Sequence, residues 1–248
     1  MEKMNVICFY WEGDRWQRRV DPSTIHDEAY RKLAERTGDV SLELASRYVN
    51  NLYEGVKRFS TRDFDFICFT NEDLSLSDGV LKRNFPLLTT KGVLPRLYMF
   101  SPESGLNGRQ TLCLDLDVVI VGSLEKIMAY DGLFAARSKF MPGQKWKLDG
   151  DIMSFRAGDQ AAQLFWDPFI ANIDRAVEST QGRERYWVRH VADKFADRWD
   201  KIAPGAVVSY KWHIRKKGEV PNDAAIVSCH GTPRTHQINQ PWIKEFWK

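Results

Sequence analysis

The chain has 248 residues, of which 43% are hydrophobic and 28% are charged; this is the balance of an ordinary globular protein and excludes the disordered and fibrous classes. Lys and Arg total 36 against 33 Asp and Glu, a formal net charge of +3, which is too small and too mixed to indicate a nucleic-acid-binding protein. No apolar run approaches the roughly 20 residues that span a bilayer. The first residues are too few and too acidic for a secretory signal, so we expect a cytoplasmic location.

The first half of the chain alternates strand-like and helix-like segments. Residues 5–11 (NVICFYW) predict a buried strand, and the polar stretch 12–40 contains a predicted helix at 24–36. Residues 41–58 carry apolar side chains at helical spacing and predict an amphipathic helix. Further strands are predicted at 65–70 and 79–84, and a helix at 94–100. This alternation is typical of an α/β sheet.

The strongest strand signal is the apolar run at residues 111–121 (TLCLDLDVVIV), which only Asp115 and Asp117 interrupt. Such runs are typical of strands buried on both faces. Because residues i and i+2 of a strand point to the same side, we expect the two carboxylates to share a face. Burying two unpaired charges is costly, so either a cation such as Mg²⁺ or Mn²⁺ holds them, or the strand ends there and both are hydrated.

Two segments after later strands are further candidates for binding. The predicted elements of this half are strands at 152–155, 206–210 and 225–229 and helices at 160–173 and 185–195. Residues 209–217 (SYKWHIRKK) form either a solvated cationic loop or a contact for phosphate, an anionic acceptor or a membrane surface. In residues 229–236 (CHGTPRTH), His230 is either a structural turn residue or a ligand that completes an Asp/Asp/His metal site.

The four cysteines show no CxxC spacing, so a zinc site or a thioredoxin-like motif is not indicated. Each lies in or beside an apolar, strand-like run, and we expect buried, reduced thiols. They are Cys8, Cys68, Cys113 and Cys229.

Together these motifs resemble the GT-A nucleotide-sugar glycosyltransferases, and most of all the retaining family-eight-like bacterial enzymes. The most specific match is residues 114–124 (LDLDVVIVGSL). The resemblance extends over most of the chain. The other matching segments are 5–11 (NVICFYW), 48–53 (YVNNLY), 55–58 (GVKR), 66–71 (FICFTN), 97–102 (LYMFSP), 209–211 (SYK) and 230–234 (HGTPR), with Arg96 standing where the family usually has Lys.

The resemblance implies an α/β fold: one GT-A, Rossmann-like domain over residues 1–248, with a mixed, mostly parallel central sheet flanked by helices and residues 12–40 as a helical insertion or lid. It implies Mn²⁺ or Mg²⁺ as the cofactor. The implied metal ligands are Asp115, Asp117 and His230, and the implied contacts to the donor are Tyr10, Trp11, Arg96, Asp115, Lys211 and Arg234.

The implied reaction is metal-dependent transfer of a sugar from a nucleotide-diphosphate donor, a UDP-sugar, to an unidentified carbohydrate, lipid-linked or protein acceptor, with retention. Two motifs depart from the family pattern: residues 149–151 read Asp-Gly-Asp in place of an Asn-Ser-Gly-like turn, and Arg183 stands where GDQ has its acid. The carboxylates placed near the sugar by resemblance, and therefore the candidate catalytic groups, are Asp149, Asp151 and Glu184. The basic cluster at 211–217 permits peripheral contact with the inner face of an anionic membrane.

Two other functions stay open on the sequence. A haloacid-dehalogenase-type phosphatase would use Asp115 as nucleophile and Asp117 as general acid, but its motif usually lies near the N-terminus and is followed by a loop, whereas residues 118–121 continue as strand. A catalytically degenerate protein that binds a nucleotide-sugar is suggested by Arg183 and by the 149–151 turn. Nucleotide binding without hydrolysis or transfer would indicate the degenerate protein.

Overall fold

The computed structural model describes residues 2–11, 41–88, 92–106 and 108–248. The predicted helix at 24–36 and the 12–40 insertion or lid lie outside these residues. The strands among the described residues are β1 (Met4–Phe9), β2 (Phe64–Phe69), β3 (Val80–Arg83), β4 (Gln110–Leu114), β5 (Val118–Ile120), β6 (Phe134–Ser138), β7 (Leu148–Arg156), β8 (Asp197–Arg198), β9 (Val207–Ser209) and β10 (Ile226–Ser228).

The helices are short except for the first. The α-helices described are α1 (Leu42–Phe59), α2 (Glu125–Met128), α3 (Asp159–Ala161), α4 (Asp167–Ala171), α5 (Ile173–Thr180), α6 (Glu184–Ala192), α7 (Trp199–Ile202) and α8 (Pro241–Phe246). Segments of 3-10 helix lie at Leu94–Phe100, Pro102–Ser104 and Thr235–Gln237, and π-helical turns at Ala162–Trp166 and Tyr210–Ile214. Within the described ranges, no helix has the length and apolar character needed to cross a membrane.

The central sheet has seven strands in the order β3-β2-β1-β4-β7-β6-β8. Strands β3, β2, β1 and β4 are parallel, β7 runs antiparallel between β4 and β6, and β8 is parallel to β6. The mixed, mostly parallel sheet predicted from the sequence is therefore confirmed. Strand β2 lies on one side of β1, and β4, which comes later in the chain, lies on the other side of β1. The order thus reverses at β1, and ligands bind in the crevice beyond the strand ends at such a point.

Both faces of this sheet are buried because successive strand residues point to opposite sides. In β1, Val6 and Cys8 belong to one hydrophobic cluster and Ile7 and Phe9 to the other. Helix α1 covers the first face, while the 3-10 helix Leu94–Phe100 and α6 pack on the second. The four cysteines are buried and form no disulfide, as predicted.

The apolar run at residues 111–121 forms two strands rather than the single strand that was predicted. Strand β4 ends at Leu114, and β5 begins at Val118 in a second, three-stranded sheet of order β5-β10-β9. The Val118 amide donates to the Asp115 carbonyl at 3.3 Å, which closes a turn over the acidic residues. The expectation that both carboxylates share one face of a strand is therefore wrong. Residues 111–121 are almost continuously apolar because β4 and β5, which follow each other in the sequence, are both buried.

Other differences from the predicted elements have local causes. Strand β6 was not predicted; its sequence FAARS is short and contains an arginine. The predicted helix at 160–173 is divided into α3, a π-helical turn and α4, and it ends at Asn172, whose side chain caps α5 by accepting the Arg175 amide at 3.0 Å. Asparagine at such a position starts a new helix because its side chain satisfies a free backbone N–H.

Candidate functional site

The turn between β4 and β5 places two carboxylates at the point where the strand order of the large sheet reverses. The Asp115 amide donates to the Asp151 carbonyl of β7 at 2.8 Å, which holds the turn against the sheet. Asp117 follows two residues later, immediately before β5. The acidic pair therefore stands between the two sheets, at the carboxyl end of β4.

The small sheet brings the two basic segments to the same place. Strands β9 and β10 are parallel, with Ser209 opposite Ser228, so their carboxyl ends meet at one edge. Strand β5 is antiparallel to β10 and therefore begins at that edge, with Val118 opposite Ser228. The Cys229 amide donates to the Asp117 carbonyl at 2.9 Å. Residues 209–211 and 229–234 are thus held beside the acidic turn, although they are far from it in the sequence.

Two basic side chains, Arg234 and Lys211, lie beside Asp117. The Arg234 guanidinium lies 3.8 Å from Asp117 Oδ2. Gly231 has φ of +79°, a conformation that favours glycine, and the Lys211 amine lies next to it, 2.5 Å from where a Cβ would stand. Burial and the nearby Arg234 and Arg215 lower the pKa of Lys211. The excess of positive charge here suits an anionic ligand such as a diphosphate.

Asp115 is paired with a buried arginine. Arg96 Nη1 lies 2.6 Å from Asp115 Oδ1 and 3.3 Å from Glu184 Oε2, and its Nη2 donates to Cys113 Sγ at 3.2 Å. Arg96 and Glu184 are 8% and 3% exposed. Arg96 was predicted to contact the donor, but its guanidinium is occupied by these two carboxylates. In the described structure it therefore positions Asp115.

Loss of hydration raises the pKa of Asp115 to about 8, against the opposing effect of the Arg96 guanidinium, although 33% of the Asp115 side chain is exposed. The charges of Asp117, Asp151 and Glu184 add to this rise. A cation bound at this turn would relieve the repulsion among the carboxylates and favour the ionised form of Asp115.

The second acidic turn is tied into the protein by Arg137 of β6. Arg137 Nε lies 2.6 Å and 2.8 Å from the two oxygens of Asp151, and Arg137 Nη2 lies 3.2 Å from Asp149 Oδ2. Ser228 Oγ donates to Asp151 Oδ2 at 2.6 Å. Burial opposes ionisation of Asp151, but Arg137 and the Ser228 hydroxyl lower its pKa below the usual value. Asp151 is therefore an ionised group that joins β7, β6 and β10.

His230 is stacked and hydrogen-bonded at the edge of the acidic turn. Its Nε2 lies 3.0 Å from Ser209 Oγ, and its ring stacks on Phe140 with centroids 6.0 Å apart. The Arg137 guanidinium carbon lies 4.0 Å from the centroid of the Phe140 ring. Burial, and then the charge of Arg137, lower the pKa of His230. The imidazole is therefore neutral at neutral pH, which is the form that binds a metal ion.

The residues predicted to hold a metal ion are of types that bind Mn²⁺ or Mg²⁺, but their side chains do not form a closed set of ligands. Within the described part of the chain, no three His, Cys, Asp or Glu side chains lie close enough together to hold a metal ion. Asp117 Oδ1, however, is buried without a hydrogen-bond partner. A buried carboxylate oxygen left unpaired is costly, and Mn²⁺ or Mg²⁺ would satisfy it. Asp117 thus offers a free oxygen of the right chemistry for such a cation, and Asp115 and His230 stay predicted ligands.

Three other predicted site residues are buried. Tyr10 and Trp11, which follow β1, are 2% and 3% exposed, and Trp11 packs edge-on against Phe85 at 5.6 Å. Neither ring presents an open face for stacking a base in the described structure. Glu184 has one buried oxygen, Oε1, without a hydrogen-bond partner. Its role as a catalytic group remains a prediction.

Sequence reasoning missed the groups that hold the site together. Arg137 and Phe140 lie in or after β6, which was not predicted. The signal for Arg137 is an arginine inside a short apolar run, since such a residue needs a buried acidic partner. Ser209 and Ser228 each end a short apolar strand, where a polar residue marks the sheet edge that carries the ligand site.

No protein-family model and no curated protein sequence matches the chain. Among solved structures, the glycosyltransferase GlyE of Streptococcus pneumoniae TIGR4 gives a TM-score of 0.59 at 12% identity, over 99% of this chain and 59% of that chain. The apo structure of the bifunctional glycosyltransferase WbbM gives a TM-score of 0.57 at 10% identity, over 98% of this chain and 51% of that chain. This chain therefore spans between about half and three-fifths of the length of those proteins. The GT-A glycosyltransferase fold predicted from the motifs is confirmed.

Proposed function

We propose that this chain is a metal-dependent glycosyltransferase that moves a sugar from a nucleotide-diphosphate donor, a UDP-sugar, to a carbohydrate, lipid-linked or protein acceptor with retention. The observation that carries the proposal is the meeting of three distant segments at one sheet edge. The acidic turn at 115–117, the SYK segment and the HGTPR segment all converge there. Carboxylates, a neutral imidazole and two basic side chains in one place suit a metal-bound diphosphate.

The basic side chains have a direct role in this proposal. Lys211 and Arg234 stand beside Asp117, where they would bind the diphosphate oxygens and offset the charge that develops on the departing group. Arg96 keeps Asp115 oriented by a 2.6 Å ion pair. When bound by Asp115, Asp117 and His230, Mn²⁺ or Mg²⁺ supplies additional charge stabilisation for the same diphosphate.

The sugar end of the donor would face the second acidic turn. Asp149 is partly accessible, with 18% of its side chain exposed, whereas Asp151 is held by Arg137 and Ser228. We therefore assign sugar contact to Asp149 and a positioning role to Asp151. A buried carboxylate that is already held by Arg137 and Ser228 is poorly placed to bind a hydroxyl group of the sugar as well.

The two alternative functions are less well supported. A phosphatase would leave the convergence of Lys211, His230 and Arg234 on Asp117 unexplained. It also requires a loop directly after the DxD motif, where this chain enters β5. A catalytically degenerate binding protein would share the same nucleotide site. Its distinguishing property is binding without turnover, which the following experiment measures.

The test is calorimetric and thermal-shift titration of UDP, GDP and ADP, each with and without Mn²⁺, on the wild type and on Asp117→Asn. We expect one nucleotide to raise the Tm only with Mn²⁺, and the substitution to weaken that binding at least about tenfold. Asp78→Asn, which changes an exposed acid in another turn, is the matched control and should bind like the wild type. Hydrolysis and transfer of the sugar from the donor are then measured. No response to any nucleotide under either metal condition would overturn the proposal.

A further inference from the structure

A cluster of cations surrounds Tyr186 near the start of α6. We call it the Tyr186 cluster; its members are Lys139, Arg183, Arg185, Tyr186 and Arg189. The guanidinium carbons of Arg183, Arg185 and Arg189 lie 5.3, 5.6 and 5.2 Å from the centroid of the tyrosine ring. Arg183 Nη1 also donates to the Tyr186 hydroxyl at 2.9 Å. Nothing in the proposed binding of the nucleotide diphosphate uses this cluster.

Three cations of the cluster have no carboxylate at ion-pair distance in the described ranges. Among the residues that the structure describes, Lys139, Arg185 and Arg189 form no ion pair with a carboxylate. Asp149 attracts both Lys139 and Arg189, but it is paired with Arg137 at 3.2 Å.

The pKa values of two members of the cluster, Lys139 and Tyr186, reflect this excess of positive charge. Burial, and then the charges of Arg189 and Arg185, lower the pKa of Lys139. Burial opposes ionisation of Tyr186, but the bond from Arg183 and the charges of the arginines lower its pKa below the usual value. Both shifts indicate a positive potential at the cluster.

Two N–H groups of the cluster are buried without a hydrogen-bond acceptor. They are Arg185 Nε and Arg189 Nη2. Arg189 is fixed by another atom, since its Nε donates to the Leu148 carbonyl at 2.6 Å. Leaving charged donors unpaired costs free energy of folding, and an anion that accepted their hydrogen bonds would recover it. Arginine is the residue best suited to binding phosphate or carboxylate groups.

The cluster adjoins both the acidic turn and an open space. Glu184, the residue before Arg185, contacts Arg96, which in turn contacts Asp115. Tyr186, but no other member of the cluster, also lines a cavity of about 420 Å³, together with Trp187 and His190. Ligand cavities are commonly about 300–1,000 Å³, so this one has room for a sugar unit.

We propose that the Tyr186 cluster binds the phosphate or carboxylate group of an anionic acceptor, with the neighbouring sugar unit placed in the adjoining cavity. This inference rests on the proposed glycosyltransferase function and specifies the chemical class of its acceptor. Arg185 and Arg189 would donate to the anion, and Lys139 would add charge. Arg183, which stands where related sequences have an acid, would orient the Tyr186 ring.

The test measures binding of four probes to the whole chain by calorimetry at low salt: glucose 6-phosphate, glucuronate, inorganic phosphate and glucose. We expect one of the two charged sugars to bind more tightly than inorganic phosphate, and glucose to bind more weakly than either. Arg185→Gln removes a side chain that makes no hydrogen bond in the described structure and should weaken that binding about tenfold or more. Arg156→Gln, an exposed arginine at the end of β7, is the matched control.

Arg189→Lys provides a second variant, because lysine keeps the charge but cannot offer two parallel donors. This variant should also bind the charged sugar more weakly than the wild type does. Wild-type affinity in both variants would overturn the inference, as would equal binding of glucose and the charged sugars. Equal affinity for inorganic phosphate and glucose 6-phosphate would overturn the assignment to an acceptor. Asp117→Asn should leave these affinities unchanged while it weakens metal-dependent nucleotide binding, so the two proposals fail independently.

Discussion

The surroundings of Asp115 shift its pKa in opposite directions. Burial and three nearby carboxylates raise its pKa to about 8, while Arg96 at 2.6 Å favours the ionised form. A bound divalent cation would act in the same direction as Arg96 but with twice the charge. Protonation of this residue and binding of the cation are therefore linked, since each excludes the other.

This linkage predicts that metal binding depends on pH. Below its pKa of about 8 Asp115 must release a proton before it can bind Mn²⁺, so the apparent affinity should increase with pH and level off above that value, by at most about tenfold per unit. His230 should not contribute above about pH 6.5, because its lowered pKa keeps it neutral there. The measurement is calorimetric titration of Mn²⁺ in the presence of UDP, in buffers of different ionisation enthalpy.

Asp115→Asn tests the origin of the pH dependence. Asparagine carries no proton to release, so this variant should bind Mn²⁺ more weakly and with a flatter pH profile. Asp78→Asn, in the exposed turn before β3, should keep the wild-type profile. A wild-type affinity that stays constant between about pH 6 and about pH 8 would contradict the linkage.

At the level of single residues, the sequence indicated the groups at the centre of the site better than those that support them. Asp115, Asp117 and His230 are noticeable because charged residues stand inside or directly after apolar runs. Arg137 could not be assigned, since its role depends on pairing with Asp149 and Asp151 across a β6–β7 contact whose register shifts at Arg137. Side-chain partners across a sheet are set by register, which local sequence does not specify.

Among the helices and strands, the contact between α1 and β5 depends on a residue without a side chain. A Cβ at Gly55 would lie 3.1 Å from Cβ and 3.2 Å from Cγ1 of Ile120. The helix therefore approaches the small sheet as closely as the backbone allows. Because β5 begins directly after Asp117, this contact also supports the position of the acidic turn.

Gly55→Val should separate α1 from β5 and destabilise the protein. A Cβ here would already lie closer to Ile120 than an ordinary contact, and valine adds two methyl groups to it; such overpacking costs about 1–3 kcal/mol of unfolding free energy. Urea denaturation of the wild type and the variant gives this difference. Lys57→Val, which places the same side chain at an exposed position of the same helix, should change the stability by less than about 1 kcal/mol. Because valine is a better helix former than glycine, propensity cannot account for a loss in Gly55→Val; a stability equal to that of the wild type would show that the contact with Ile120 does not require glycine.

Most elements of the central sheet could be predicted because their residues alternate or form apolar runs of strand length. The helix at 41–58 was predicted within one residue of α1, since its apolar spacing and its capping serine are local features. The division of residues 111–121 into β4 and β5 could not be predicted in this way. Both strands are buried, so hydropathy does not change at the point where the chain passes from one sheet to the other.

For the whole molecule, the Asp151–Ser228 bond joins the two sheets. Asp151 belongs to β7 of the large sheet and Ser228 to β10 of the small sheet, and the hydroxyl donates to the carboxylate at 2.6 Å. Asp151 and Ser228 are 7% and 0% exposed. A buried charge that loses a donor has no water to replace it, so this bond contributes to the relative position of the sheets.

Ser228→Ala should therefore loosen the small sheet and weaken nucleotide binding. We expect a loss of about 1–3 kcal/mol in stability and faster amide hydrogen exchange in β5, β9 and β10 than in β1 and β4. Ser154→Ala is the matched control, because Ser154 is equally buried and its hydroxyl accepts from Gln110 at 3.1 Å within the large sheet. That control should leave exchange in the small sheet unchanged. Uniformly faster exchange in both variants would show that Ser228 has no particular role between the sheets.

The pairing of β5 with β10 also determines when the site comes into existence during synthesis. Ile120 pairs with Ile226, more than a hundred residues later in the chain. Strands β1, β2, β3 and β4 can associate while that later segment has not yet been made, but Asp117 has no partner strand beside it until β10 emerges. Contacts of such long sequence separation form late, since closing the intervening loop is entropically costly. The nascent chain is therefore expected to form strands β1–β4 first and the proposed nucleotide site only after β10 has been made.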